Sequence, residues 1–283
     1  MADPAAGGNP GGGAGGRDIR LSIQRHHSRS PEELRQDLDA WLDRAPKLSS
    51  DSEPLTETYE RSLIDLAALR YTPLVSGPPL PAAGLPWFMT MFGRDSLITC
   101  LQSLPFTPEL AGPTLRYLAL AGVSLDDFRE REPGKILHEV RYGESTAFEE
   151  QPHSPYYGSA DSTPLFVILL DEYERWSGDR ELVQTLEHEA RAALHWIDRY
   201  ADLMGNGYVW FERRNLRNGL ENQCWKDSWD AISYSDGRLP AFPGPPANYR
   251  ATRTTRRSAA PGWPGSAGRT WSTPSNWSGR RRT

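Results

Sequence analysis

The chain has 283 residues, a formal net charge of −5 and two cysteines. This charge gives no reason to expect nucleic acid or an anionic membrane as a partner. Cys100 and Cys224 are too few for a disulfide framework and lack metal-ligand spacing, so we expect a reduced, cytoplasmic setting without metal or other cofactor. No apolar run approaches the roughly 20 residues that span a bilayer.

Both ends of the chain differ in composition from its middle. Residues 1–29 begin with a Gly/Ala/Pro-rich stretch that lacks the features of a signal peptide, and they are predicted to form a flexible leader. Residues 241–283 hold eight arginines but no Lys, Asp, Glu, Val, Ile, Leu or Met, which predicts a disordered basic tail. A GC-rich gene read out of frame would encode this composition, so we favour a frameshift near Leu239. A basic arm that binds acidic partners is the alternative.

Residues 30–240 are predicted to be mostly helical. Ser30, Pro31 and Glu33 supply an N-cap, a first-turn proline and a capping-box glutamate for the first helix. A second helix is predicted around Leu63, and an irregular, Pro/Gly-rich connection follows at 71–86. Helical patterns resume at about residue 95 and again at 108–121.

The clearest helical hairpin lies at residues 162–200. One helix runs from Ser162 to a stop at 177–179, and the next begins at Glu181 and carries one apolar face as far as Tyr200. Residues 208–211 are compatible with a short strand. Paired helices joined by short turns predict an all-α fold, a partial (α/α)6 toroid of helical hairpins. A plain helical bundle fits the same periodicity.

Residues 84–95 break the helical pattern with an aromatic cluster that precedes Arg94 and Asp95 at a predicted helix start. The aromatic residues include Trp87 and Phe92. Aromatic rings stack on the apolar faces of sugars, and Arg and Asp form charged hydrogen bonds with vicinal hydroxyls. The alternative is structural: Asp95 caps the helix, Arg94 pairs with it, and the aromatic rings belong to the core.

Residues 221–230 form a second unusual segment, in which Trp225 and Trp229 bracket Asp227 and Asp230 follows. A carboxyl group packed against tryptophan in a partly dry pocket has a raised pKa, as a general acid for glycoside cleavage requires. Asp227 and Asp230 would share a face if this segment were a helical turn. The alternative is a surface loop with capping aspartates and packed tryptophans.

These motifs together resemble those of glycogen-debranching glucosidases, the amylo-α-1,6-glucosidase family of six-hairpin glycosidases. Residues 84–88 followed by 92–96 are similar to the family's aromatic-Gly-Arg-Asp signature, and 225–227 resembles its Trp-X-Asp motif. Residues 134–144 and 160–163 extend the resemblance, which covers approximately residues 30–238.

The resemblance implies inverting hydrolysis of α-glucosidic bonds in glycogen-like glucans. Asp227 would then be the general acid, Arg94 and Asp95 would hold a glucose unit, and Trp87 and Phe92 would shape its subsite. The other substrate-binding residues that it implies are His138, Glu139, Arg141, Trp225, Lys226 and Asp230. Asp230 is also the fallback for the acid, and His138 fits a structural histidine equally well.

The chain also departs from the family's pattern. Relatives carry a β-sandwich domain before the barrel, and their catalytic base lies in its later half, about 6.5–9.5 Å from the acid. No carboxylate side chain follows Asp236, so we expect the chain to end before the base and to be inactive alone. A trehalase-like or mannosylglycerate-hydrolase-like glycosidase is one alternative, and a non-catalytic glucan-binding fragment of a disrupted gene is another.

Overall fold

The structure is a computed structural model that describes residues 30–73, 77–120, 124–202, 205 and 208–239. These residues are mostly helical, in agreement with the predicted all-α class. The proposed leader and basic tail both lie outside the described residues. Within those ranges, none of the helices is long and apolar enough to cross a membrane.

The first two helices, both predicted from their apolar spacing, pack against each other as an antiparallel hairpin. Helix α1 spans Pro31–Arg44 and α2 spans Glu53–Ala68. The capping box is confirmed, because Ser30 accepts a hydrogen bond from the backbone of Glu33 and the Glu33 side chain accepts one from the backbone of Ser30.

Trp41 joins the two helices of this hairpin. Its side chain is 1% exposed, and its indole Nε1 donates to the carbonyl oxygen of Leu63 over 3.1 Å. The guanidinium of Arg70 lies 4.4 Å from the centre of the Trp41 ring and donates to Asp37 over 2.7 Å. The indole is therefore fixed by burial, a hydrogen bond and a cation–π contact.

The connection at 71–86 is more regular than we predicted. Strands β1, Arg70–Tyr71, and β2, Leu80–Pro81, pair antiparallel, with Arg70 opposite Pro81 and Tyr71 opposite Leu80. Two paired residues per strand are too few to produce an alternating sequence pattern, and the prolines and glycines around them conceal the pair.

The core lies among four helices from the middle of the chain. Their bounds are Gly93–Ser103 for α3, Ala111–Leu118 for α4, Ser162–Ser177 for α6 and Glu187–Arg199 for α8. A 3₁₀ turn at Pro108–Leu110 leads into α4. Helix α3 packs against α6, α6 packs against α8, and α4 contacts both α3 and α6. Short helices α5 and α7 span Glu144–Ala147 and Arg180–Thr185.

The predicted stop after α6 is confirmed, but the helix that follows is divided. Gly178 ends α6 with a φ of 72°, a left-handed conformation that suits glycine. Leu186 then leaves helical geometry between α7 and α8, with φ −96° and ψ 11°. Its side chain stays buried in the core, so the apolar spacing runs through the break and conceals it.

The chain is irregular from residue 208 to residue 239. The strand predicted at 208–211 is wrong, because only Val209 occupies a bridge position there. Trp210 donates its backbone N–H to the carbonyl oxygen of Ala201 over 2.7 Å. Because this segment has no helix or regular strand, its position depends on contacts with the helical part.

Replacing Trp41 by alanine should lower the free energy of unfolding by about 3–5 kcal/mol, because it leaves a large cavity and removes the hydrogen bond to Leu63. Denaturant unfolding measures this change. Trp176→Ala is the matched control, since the Trp176 side chain is 57% exposed and its loss should cost no more than about 0.5 kcal/mol. Equal effects of the two substitutions would contradict the role of Trp41.

Candidate functional site

Arg94 lies at the centre of the candidate site. Its Nη2 donates to Oδ2 of Asp227 over 2.8 Å, and its Nη1 donates to the carbonyl oxygen of Cys224 over 3.2 Å. Nη1 also lies 3.4 Å from Oδ2 of Asp161, and Nη2 lies 3.8 Å from Oδ2 of Asp95. One guanidinium therefore connects three carboxylates and a carbonyl from three parts of the chain.

The charge of Arg94 is stabilised although its side chain is largely buried. Burial opposes the charged form, but the carboxylates of Asp161, Asp227 and Asp95 outweigh it and raise the pKa of Arg94 above its ordinary value. Arg94 is thus a permanent cation whose desolvation is compensated by neighbouring negative charge.

Gly93 explains why α3 begins against the chain at 137–139. Its backbone N–H donates to the carbonyl oxygen of His138 over 2.6 Å, and Phe92 forms a bridge with Glu139. A Cβ atom at Gly93 would lie 2.2 Å from the carbonyl oxygen of Leu137. The aromatic-Gly-Arg-Asp pattern therefore needs its glycine for this close approach, which in turn sets the position of Arg94.

Asp161 supplies the most buried carboxylate of the site, from the residue before α6. It accepts a hydrogen bond from the hydroxyl of Ser159, which in turn accepts one from the backbone N–H of Ser162 over 3.2 Å. Asp161 belongs to a motif that supports the family resemblance, but it was not among the predicted site residues. Apart from that motif, the sequence signal was its position before a helix, which is equally typical of a capping residue.

The backbone on either side of Cys224 is held by a second set of hydrogen bonds. The backbone N–H of Ala160 donates to the carbonyl oxygen of Gln223 over 2.7 Å. The side chain of Asn222 accepts from the N–H of Cys224 over 3.3 Å and donates to the carbonyl oxygen of Lys226. A closed turn therefore places Asp227 next to Arg94.

The suggestion that Asp227 and Asp230 share a helical face is wrong. Residues 224–231 form bends and a turn, in which the N–H of Ala231 donates to the carbonyl oxygen of Ser228 over 3.1 Å. Asp227 contacts Arg94, whereas Asp230 is exposed on the turn that follows. Of the two, only Asp227 belongs to the cluster around Arg94.

His138 lies buried beside this cluster. Its ring makes edge-to-face contacts with Phe92 and Tyr156, at centroid distances of 5.8 and 6.0 Å. Burial lowers the pKa of His138, which favours the neutral imidazole. Its Nδ1 has no hydrogen-bond partner among the described residues, an uncommon state for a buried polar atom.

The buried Glu139 pairs with the partly exposed Arg141 next to His138. Nε of Arg141 donates to Glu139 over 3.0 Å, and Nδ1 of His153 also contacts the Glu139 carboxylate. Burial opposes ionisation of Glu139, but these partners outweigh it and lower its pKa. The guanidinium of Arg141 lies 5.4 Å from the ring centre of Phe88 and 5.3 Å from that of Phe92.

Exposed aromatic side chains flank these charged residues, and we call Trp87, Phe88, Trp225 and Trp229 the aromatic rim. Trp87 is 78% exposed, and its carbonyl oxygen accepts a hydrogen bond from Arg141 over 3.4 Å. Trp225 is also exposed, with Nζ of Lys226 5.8 Å from its ring centre. Large aromatic side chains exposed near one charged cluster are typical of a binding surface.

The structure thus brings most of the predicted residues together in two adjoining groups. Arg94, Asp95 and Asp227 form one group, flanked by Trp225 and Lys226. The other group contains Phe92, His138, Glu139, Arg141 and Trp87. Phe92 links the groups, because it precedes the start of α3 and contacts both His138 and Arg141. Within the described ranges, no group of three or more His, Cys, Asp or Glu side chains is arranged to hold a metal ion.

No protein-family model matches the chain, and no curated protein matches it. The resemblance to debranching glucosidases therefore depends on the motifs alone and stays a prediction.

The low pKa of His138 should make the protein less stable in mild acid. Below the ordinary value of 6.5 the unfolded chain binds a proton that the folded chain excludes, so stability falls as the pH decreases. Uptake of this one proton changes the free energy of unfolding by at most about 1.4 kcal/mol per pH unit. His138→Gln should reduce the slope of the free energy of unfolding against pH between pH 6.5 and 5.5, as measured by urea unfolding.

The exposed His188 provides the control for this experiment, since His188→Gln should leave the slope unchanged. If His138→Gln gave the same slope as the unsubstituted chain, the buried neutral state of His138 would be wrong.

Proposed function

We propose that this chain binds α-glucans and holds one glucose unit at Arg94, Asp95 and Asp227. The observation that carries the proposal is the division of this cluster into a buried and an accessible part. The Arg94 and Asp161 side chains are buried, whereas those of Asp95 and Asp227 are 42% and 36% exposed. Buried charges thus orient two accessible carboxylates, which can accept charge-assisted hydrogen bonds from sugar hydroxyls.

The aromatic rim supports a sugar as the ligand. A sugar ring presents hydroxyl groups at its edge and C–H groups on its faces, so it needs polar partners on one side and an apolar surface on the other. Trp225 lies two residues from Asp227 and is exposed. Trp87 is connected to the same region by Arg141. The site therefore offers both kinds of surface within one small area.

The balance of charge favours a neutral sugar. Three carboxylates surround the single guanidinium of Arg94, and Arg141 is already paired with Glu139. An anionic ligand would be repelled by this excess of negative charge. A neutral glucan or trehalose fits better than mannosylglycerate, which carries a carboxylate of its own.

Hydrolysis of the debranching type, on a toroid of helical hairpins, is the second candidate. It is favoured by the position of Asp227, which is half-exposed beside Trp225 at the edge of the cluster. A general acid must carry a proton, however, whereas Asp227 here accepts a hydrogen bond from Arg94. Because Oδ2 of Asp227 accepts from Arg94, the proton for a glycosidic oxygen would have to be carried by Oδ1.

Binding is supported better than cleavage by the arrangement of the carboxylates. An inverting pair places its two carboxyl groups on opposite sides of the sugar, about 6.5–9.5 Å apart. Asp95, Asp161 and Asp227 instead converge on one guanidinium. This convergence suits a site that grips one side of a sugar.

Calorimetric titration with maltotetraose tests the binding proposal. Asp227→Asn should weaken binding by about 10–100-fold, because it replaces a charged hydrogen-bond acceptor by a neutral one. Asp236→Asn is the matched control, since Asp236 lies on the exposed surface paired with Arg238. Binding that is undetectable in the unsubstituted chain, or equal in the two variants, would contradict the proposal.

Glucose release from a branched dextrin tests the second candidate. If Asp227 is the acid, Asp227→Asn should reduce release by about 100-fold or more. A chain that binds maltotetraose but releases no glucose would exclude hydrolysis and leave glucan binding as the function.

A further inference from the structure

The segment 208–239 contributes Asp227 and the Cys224 carbonyl to the site, yet it contains no helix or regular strand. Something outside the segment must therefore hold it against α3 and α6. The contacts at Arg94 lie at the site itself. A second group of contacts lies further back along the segment, around the carboxylate of Glu130.

Glu130 is fully buried and binds the backbone of this segment directly. Both of its carboxylate oxygens lie 3.0 Å from the backbone N–H nitrogen of Arg214, and Oε1 also accepts from the N–H of Asn215 over 2.9 Å. A carboxylate that accepts two consecutive backbone N–H groups fixes the position of that backbone. It also satisfies two backbone donors that no helix or regular strand pairs.

The backbone at Glu130 is held in an unfavourable conformation. Its φ of 57° lies in the left-handed region, which a residue with a long side chain rarely adopts. Such a conformation persists only where the surrounding contacts maintain it. The carboxylate contacts with Arg214 and Asn215 are contacts of this kind.

Neighbouring side chains strengthen the same attachment. The guanidinium of Arg214 pairs with Asp127 over 3.1 Å and with Glu132. Glu132 in turn accepts from the indole Nε1 of Trp196 in α8 over 2.7 Å. The side chain of Asn215 donates to the carbonyl oxygen of Phe128 over 2.8 Å. The bonds of Arg214 and Asn215 thus join the start of the segment to the connection at 127–132, and the bond of Trp196 joins that connection to α8.

Lys135 connects this attachment to the candidate site. Its buried Nζ donates to the carbonyl oxygen of Glu130 over 3.3 Å and to Oε1 of Gln223 over 3.5 Å. Gln223 immediately precedes Cys224, whose carbonyl oxygen accepts from Arg94. A displacement of the Glu130 attachment would therefore reach the residues around Arg94 through one buried ammonium group.

Gly219 shows how closely the segment fits around Glu130. A Cβ atom at this position would lie 2.6 Å from Oε1 of Glu130 and 2.6 Å from the carbonyl oxygen of Asn215. Any larger residue must push the backbone away from the carboxylate. The contact can therefore be weakened from either side, by changing Glu130 or by changing Gly219.

We propose that Glu130 is a positioning residue, which holds segment 208–239 so that Asp227 and the Cys224 carbonyl reach Arg94. Its carboxylate is bound to backbone N–H groups of that segment, so it acts through the segment's position. The consequence for glucan affinity depends on the proposed function, whereas the attachment itself does not.

Two variants and two measurements test this role. Glu130→Gln replaces one acceptor oxygen by an NH₂ group that faces backbone N–H groups, and Gly219→Ala displaces the segment while leaving the carboxylate intact. Both should accelerate tryptic cleavage after Arg217 in the otherwise folded protein by about tenfold or more. Both should also raise the Kd for maltotetraose by about tenfold.

The control is Asp171→Asn, which removes a buried carboxylate that is paired with Arg175 over 2.9 Å within α6. It should leave the cleavage rate and the Kd unchanged, whatever its effect on the Tm. A merely structural role for Glu130 would change the Tm and leave the cleavage rate and the Kd unchanged. That result, in both Glu130→Gln and Gly219→Ala, would overturn the proposal.

The two proposals can fail separately. If the unsubstituted chain binds no maltotetraose but both variants accelerate cleavage, the attachment is supported and only the proposed function is overturned. If the chain binds maltotetraose and neither variant changes cleavage or Kd, the positioning role of Glu130 is overturned and glucan binding stands.

Discussion

The buried guanidinium of Arg94 is the interaction on which the rest of the site depends. A cation removed from water needs negative partners, and Arg94 finds them in its helix neighbour, at the start of α6 and in the irregular segment 208–239. Compensation of this one charge therefore brings three distant parts of the chain to a single point. Two of the recruited carboxylates, those of Asp95 and Asp227, remain partly exposed, so the interaction that satisfies the arginine also presents acceptors to a ligand.

The site has two halves, the helix starts that carry Arg94 and Asp161 and the segment 208–239 that carries Asp227, and they are held by different forces. Arg94 and Asp161 lie at the starts of helices that pack through a large apolar core, and Gly93 fixes the approach of one of them. Segment 208–239 has no helix or regular strand; Val209 packs in a small apolar cluster with Trp196, and polar contacts attach the rest through Glu130 and Arg94. Segments of this kind open locally at a lower free energy than the core does. Affinity at the site should therefore respond to changes that leave global stability almost untouched.

The main helices could be predicted from the sequence, whereas the contacts between residues distant in the sequence could not. Apolar spacing and capping residues located the main helices, and the pattern at 92–95 identified Arg94, because these signals are local. The contacts of Asp161 and Glu130 connect residues that are between 67 and 85 positions apart, and no local pattern records them. Asp161 precedes a helix and Glu130 lies in a turn, so in the sequence they resemble a capping residue and a surface residue. The break at Leu186 was hidden for the opposite reason, since its side chain keeps the helical apolar spacing.

Hydrogen exchange with and without maltotetraose tests most directly whether the two halves form one sugar site around Arg94. We expect saturating maltotetraose to slow the exchange of backbone amides at residues 93–97 and 224–230 over the same concentration range, while amides in the hairpin of α1 and α2 stay unchanged. Because one ligand contacts both halves, the slowing of amide exchange in the two stretches should follow a single binding curve. Protection confined to one of the two stretches, or found only elsewhere in the chain, would contradict a shared site at Arg94.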